Sequence, residues 1–335
     1  MLRPRFSYRF ALIASVALCL APGTLVRTPI DPDLEGTVIS IVPLAERNGI
    51  SGELALVGAW QLSAQHPFFG GFSSLAFTGH ETLLAGGDRG WTQEFDLSQP
   101  IPRAHSDGFS FFAQSHSSSE AMFDLEGMTV DRASGTVWTS FESHNAIQRD
   151  LADGIRTSRA PAEMRGWSAN SGPETIERLP DGSFLVLSEA PEGNGETDRP
   201  GLLFAGDPID NVDPIEFRII TPRRFSPVDA TALPDGTVLI LLRRVQASIP
   251  VSFDAAIMRA DPSTIREGEQ WSGEVIARLE GPIYGENFEG IAFVPGYDAG
   301  HNESATAGSV YLISDDNFSI FQRNLLVQLA LPARE

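Results

Sequence analysis

"LPDGSFLVLSEA" (residues 179–190) and "LPDGTVLILLRR" (233–244) present one pattern twice. Each opens on a turn signal, Asp181-Gly182 or Asp235-Gly236, and runs on into a block rich in Val, Ile, Leu and Phe. An Asp-Gly turn between apolar runs is a two-residue β-hairpin signal. Working outward, an apolar strand also precedes each turn, and the unit recurs. It is found in "GFSSLAFTGHETLLAGGDRG" (71–90), "DLEGMTVDRASGTVWTSFES" (124–143), "GPETIERLPDGSFLVLSEA" (172–190), "PVDATALPDGTVLILLRR" (227–244) and "NFEGIAFVPGYDAG…GSVYLISDDNF" (287–318). Ser134-Gly135 supplies a third turn of the same kind.

The units start about 50 residues apart, with the longest interval before the last. A period of that size, with a hairpin at its heart, reads as the blades of a β-propeller. The predicted fold is all-β, and few windows favour helix. Thr37–Val42, Glu53–Trp60 and Leu325–Leu331 remain as further strands. Together they are expected to build one more blade from the N- and C-terminal strands, closing the ring and removing its edges. Six blades are therefore expected, with five as the alternative.

The N-terminal stretch has a different character. Arg3, Arg5 and Arg9 precede an apolar run from Phe10 to Leu20, followed by Ala21-Pro22-Gly23. This is the pattern of a secretory signal. The run is about half the roughly 20 residues that a spanning helix needs. Residues 1–23 are thus expected to be a signal peptide and residues 24–335 the propeller domain. The mature protein would start at Thr24, be periplasmic or secreted, and keep no stable membrane span. Lipid attachment through Cys19 is disfavoured by the size of Leu18.

Cys19 is the only cysteine, so the expected mature chain has no disulfide, thiolate metal site or cysteine nucleophile. The chain has no lysine, which removes Walker-loop and Schiff-base chemistry. Its net charge is −20, and loss of residues 1–23, with three arginines and no acid, would take it to −23. Such a chain repels nucleic acid and suits cations. A small-molecule substrate and a monomer are expected.

Aligning the repeats on the turn glycine brings out the acids. Glu142, Glu189 and Asp315 each stand seven residues after it, and Asp88 ends its strand in the same way. A second series, Glu126, Glu174 and Glu289, begins the first strands, with Asp229 nearby in the fourth repeat. In a propeller, equivalent positions form rings around the channel, so the acids converge on one mouth. Two carboxylates 4 Å apart repel by roughly 4 kcal/mol at an effective dielectric near 20. Converging acids must protonate, pair with arginine or bind metal. Asp88, Glu126, Glu174, Glu289, Asp315 and Asp316 are the candidate ligands. Hard oxygen donors favour Ca²⁺, then Mg²⁺ or Mn²⁺. Glu142, Glu189 and His144 are candidate catalytic groups, His144 sharing the face of Glu142 if the strand continues. Arg89, Arg149, Arg243 and Arg323 are candidates to hold a substrate anion. Arg243 stands where an acid is expected, and pairing with the acids is its other reading.

The segments at 124–143, 179–190 and 233–244, and above all "NFEGIAFVP…YLISDDNFSIFQ", resemble the phytase-like family described as esterase-like activity of phytase. The resemblance spans roughly residues 50–330. It implies a propeller-type fold in a mostly exported bacterial family, and hydrolysis of phosphate or carboxylic esters. Where that family usually carries a glutamate before paired arginines, this chain has Leu242. Two functions remain open: a metal-dependent ester or phosphomonoester hydrolase, and a non-catalytic binding propeller of the cell envelope with a structural metal.

Overall fold

A computed structural model describes residues 37–45, 49–66, 69–105, 110–111, 124–191, 196–279, 285–297 and 303–333. The proposed signal, residues 1–23, lies outside them. Among the described residues the secondary structure is strand, apart from short 3-10 turns at Ala162–Gly166, Pro208–Asp210 and Pro262–Thr264. No helix among them is long and apolar enough to cross a membrane.

The strands form five sheets, each of which is a propeller blade. The first runs Phe72–Gly79, Thr82–Gly87, Trp91–Asp96 and Arg103–Ala104, with Ser110–Phe111 also pairing to the third strand. The second runs Leu125–Asp131, Thr136–Phe141, Ala146–Asp150 and Arg156–Arg159. The third runs Pro173–Arg178, Phe184–Ser188, Asp198–Phe204 and Pro214–Ile220, with Gln270–Ser272 outside. The fourth runs Ser226–Ala232, Val238–Gln246, Ser252–Ala260 and Glu274–Leu279, with Ile50–Gly52 outside. The fifth runs Asn287–Tyr297, Glu303–Asp315, Asn324–Leu331, Ala55–Ser63 and Ser40–Pro43. The five inner strands neighbour one another in a cycle, the fifth returning to the first.

Five blades replace the expected six. The strands left over from the repeats do not form a sheet of their own. Asn324–Leu331 and Ala55–Ser63 pair with each other and extend the fifth repeat's hairpin. A repeat supplies only a hairpin, and its sheet must find outer strands elsewhere. The first three take them from later segments, while the fourth adds Ile50–Gly52 and the fifth Ala55–Ser63 and Ser40–Pro43 from the N-terminal part of the chain. No inner strand is left to start a sixth.

The turns also differ from the two-residue form expected. Gly182 N donates to Leu179 O and Leu179 N to Ser183 O, so the loop is Pro180-Asp181-Gly182. Gly182 has φ +88°, which costs glycine nothing, and Asp181 Oδ1 accepts from Ser183 N. Pro234-Asp235-Gly236 repeats this arrangement.

Burial on both faces explains the unbroken apolar runs. Val238, Ile240 and Leu242 pack in the core shared with the third blade, and Leu239 and Leu241 in the core shared with the fifth. All five are fully buried. Side chains alternate along a strand, so a blade packed on two sides needs apolar residues at every position. Each such side chain contributes roughly 1.5–3 kcal/mol. Leu242 therefore belongs to the interblade core and not to the channel.

Candidate functional site

At the start of every inner strand the pairing slips by one residue. The slip falls between Phe72 and Ser74, Leu125 and Gly127, Pro173 and Thr175, Pro227 and Asp229, and Phe288 and Gly290. A bulge leaves one residue unpaired and re-aims its side chain. Those residues are Ser73, Glu126, Glu174, Val228 and Glu289. A second ring lies at the ends of the second strands: Asp88, Glu142, Glu189, Arg243 and Asp315. Asp88 N donates to Gly71 O, Glu142 N to Asp124 O and Glu189 N to Gly172 O. Arg243 is paired with Ser226 and Asp315 with Asn287. Each blade thus contributes one charged group to the second ring, four acids and an arginine.

Arg243 is shared between blades. It donates to Glu189 Oε1 at 2.6 Å in the third blade, and to Asn287 Oδ1 at 2.7 Å and Glu289 Oε1 in the fifth. Burial opposes its charge, but Glu289, Glu189 and Glu174 outweigh burial and hold the guanidinium more firmly protonated than usual. Away from it the acids crowd. Asp124, Glu126 and Glu142 bring carboxylate oxygens within 4.8 Å of one another, and all three are half-buried. Burial, followed by neighbouring acids, holds Glu126 and Glu174 well above the ordinary carboxylate range. Burial pushes Glu142 up to about 7 and Asp315 to about 8. It takes Asp88 to about 6, with Arg89 working in the opposite direction. Glu174 and the backbone N–H of Gly172 work against the rise at Glu142, whose Oε1 accepts from Gly172 N at 3.3 Å.

Asp88, Glu126, Glu142, Glu174, Glu189, Glu289, Asp315 and Arg243 are therefore brought together. Asp316 is occupied with its own turn, where its Oδ1 accepts from Phe318 N at 3.0 Å and its Oδ2 from Asn324 Nδ2 at 2.9 Å. Arg89 lies over the Phe318 ring, its Cζ 3.4 Å from the centroid. Arg323 donates through N and Nε to Glu286. Arg149 pairs with Asp207 at 2.7 Å and Asp210 at 3.0 Å of the third blade. The strand before His144 stops at Phe141, so His144 sits in an exposed turn with its Nδ1 2.8 Å from Ser143 Oγ, off the expected face.

In the fourth blade the bulge residue is Val228. Asp229 lies one position on and is fully buried, accepting from Ile291 N and Ala230 N at 2.8 Å. It ties inner strands together and is no member of the acid series. Asp124 and Asn287 were missed by the repeat alignment. Asp124 holds φ +73°, an uncommon conformation for a non-glycine residue. The signal was present: "DLEG" and "NFEG" place an Asp or Asn two residues before the bulge glutamate.

Among curated proteins none matches this sequence. Among solved structures, the virginiamycin B lyase of Staphylococcus aureus aligns over 88% of this chain and 100% of its own, at 13% identity and TM-score 0.40. A nidogen/laminin complex aligns over 86% of this chain and 92% of its own, at 12% identity and TM-score 0.38. Likenesses at that level bear on neither substrate nor activity. The family model described as "Esterase-like activity of phytase" matches residues 67–318, and by that match the chain belongs to the Phytase-like family.

Proposed function

We propose that this protein hydrolyses carboxylic esters or phosphomonoesters at the acidic end of its channel, with a divalent cation held by Asp124, Glu126 and Glu142. The approach of those three carboxylates carries the reading. Arg243 compensates Glu189 and Glu289, and the charge of the second blade calls for a cation from outside. All three are hard oxygen donors, which fit Ca²⁺ first and Mg²⁺ or Mn²⁺ next. A bound cation would polarise the ester group and ease deprotonation of water. Around it, the backbone N–H of Gly172 steadies Glu142 by donating to its Oε1 at 3.3 Å. Asp88 adds a buried Oδ1 with no hydrogen-bond partner among the described residues.

The test is turnover of p-nitrophenyl acetate and p-nitrophenyl phosphate by metal-stripped protein, before and after Ca²⁺ is added. Calcium-restored turnover that Glu126→Gln abolishes is expected. Absence of turnover, with calcium bound and the fold intact, would favour a second reading: a ligand- or partner-binding propeller with a structural cation. That reading has its own support, because Arg243 is already engaged by Glu189, Glu289 and Asn287. We also infer that the pairing of Asn324–Leu331 with Ala55–Ser63 closes the ring. Residues 1–23 would direct export, leaving a periplasmic or secreted protein that starts at Thr24. Mass spectrometry of the exported chain checks that cut.

A further inference from the structure

Twelve large apolar side chains are exposed among the described residues, and six of them lie in or beside two short loops. Val245, Ile249 and Val251 flank the link between the second and third strands of the fourth blade. Phe318, Ile320 and Phe321 occupy the matching link of the fifth. Both links leave the strand ends that carry Arg243 and Asp315, so both loops stand where the acid rings open.

Their feet are joined. Phe253 N donates to Gly285 O at 3.0 Å, and the next residue, Glu286, accepts from Arg323 N at 2.9 Å and Nε at 2.7 Å. The fifth-blade loop is also braced. Asp316 Oδ1 accepts from Phe318 N and Asp316 O from Ser319 N, while Asn317 Nδ2 donates to Gln322 Oε1 at 3.0 Å. That frame holds Ile320 and Phe321 in water at 92% and 69% exposure. Phe318 connects the rim to the acids. It lies under Arg89 and beside Gly71, where a Cβ would fall 2.9 Å from its ring and against Asp88.

We propose that this rim binds the acyl chain of a neutral carboxylic ester and sets its ester group at the acid ring. The inference rests on the hydrolase reading and narrows it to one substrate class. Charge supports the choice: a chain at −20 with a mouth of carboxylates disfavours phosphate esters and leaves a neutral ester unhindered. Water adds to the acyl carbon, the bond to the alcohol oxygen breaks, and acid and alcohol leave. Large apolar side chains at an active-site rim gain by covering a substrate's methylenes.

The experiment compares p-nitrophenyl acetate, butyrate and octanoate with the calcium-loaded full chain and with an Ile320→Ser, Phe321→Ser double variant. The catalytic efficiency of the wild type should rise about tenfold from acetate to octanoate, the worth of roughly two covered methylenes. The variant should lose that rise while keeping its thermal midpoint, since both side chains are exposed. A flat wild-type series, or an equally steep variant, overturns the proposal; acetate turnover in either case leaves the hydrolase reading standing. If no ester in the series is turned over, and p-nitrophenyl phosphate is not either, the hydrolase reading falls and 1-O-octylglycerol, an ether that cannot be hydrolysed, decides the rim. Wild-type binding below its micelle concentration, weakened in the variant, supports an acyl site. No binding, or equal binding by both, overturns it. Co-sedimentation with phosphatidylcholine vesicles without binding of the ether assigns the rim to a membrane surface and likewise overturns it.

Discussion

The two sides of the acid ring solve one electrostatic problem in opposite ways. Between the third and fifth blades, Glu189 and Glu289 share an internal cation, Arg243, which is only 13% exposed. In the second blade, Asp124, Glu126 and Glu142 crowd together, and burial shifts Glu126 and Glu142 towards their protonated forms. A guanidinium delivered by the fold is permanent and fixed in place. Protons are weaker compensation and leave as pH rises, which makes the second blade the side that a metal ion would satisfy. One repeat position, filled by Arg243 in the fourth blade and by acids in the others, creates the asymmetry.

The largest effect is expected from removing the internal cation. Arg243→Met should destabilise the protein by about 3 kcal/mol in urea unfolding, because it strands two half-buried carboxylates. A loss under 1 kcal/mol would mean that the paired side is no better compensated than the other. Next, Glu142→Gln should weaken Ca²⁺ affinity at least tenfold by calorimetry, and Glu189→Gln should change it less than threefold. Equal losses would erase the distinction between the two sides.

A pH series sharpens the contrast. Asp88, Glu142 and Asp315 have folded pKa values of about 6, 7 and 8, above the 3.8 to 4.5 of free carboxyls. A raised carboxyl pKa gives stability that is fully present below the unfolded value and lost as pH climbs through the folded one. The metal-free protein should therefore lose thermal stability between pH 5 and pH 8. Calcium should raise the midpoint more at pH 8 than at pH 5, and a pH-independent rise would contradict the assignment. The smallest effect belongs to Arg149→Ala, which cuts a half-exposed pair with Asp207 and Asp210. About 1 kcal/mol or less is expected, with calcium affinity unchanged in the same titration.

Much of this architecture is written in local signals. The Pro-Asp-Gly turns mark the hairpins of the third and fourth blades, and counting seven residues from the turn glycine reaches Glu142, Glu189 and Arg243 because the second strand is regular over that distance. Asp315 stands as far from Gly308, which lies within its longer second strand. Blade number is not local. It depends on which distant strands complete each sheet, and nothing within "NFEGIAFVP" announces that Ala55–Ser63 will join it. The bulge explains the error at Asp229, since a slip of one residue moves the channel position to Val228. Asp124 precedes its strand and follows no apolar period, so only its match to Asn287 could have marked it.

The pairing of Ala55–Ser63 with Asn324–Leu331 has a consequence for synthesis. Partners about 260 residues apart must wait until Asn324–Leu331 has been made, and the entropy of closing so long a loop is met only then. Until that moment Ala55–Ser63 lacks this neighbour, and its backbone amides and carbonyls can template pairing with another chain. A polypeptide cut before Asn324 would retain that exposed edge permanently. Aggregation, more than loss of any carboxylate, is the failure expected of C-terminal truncations.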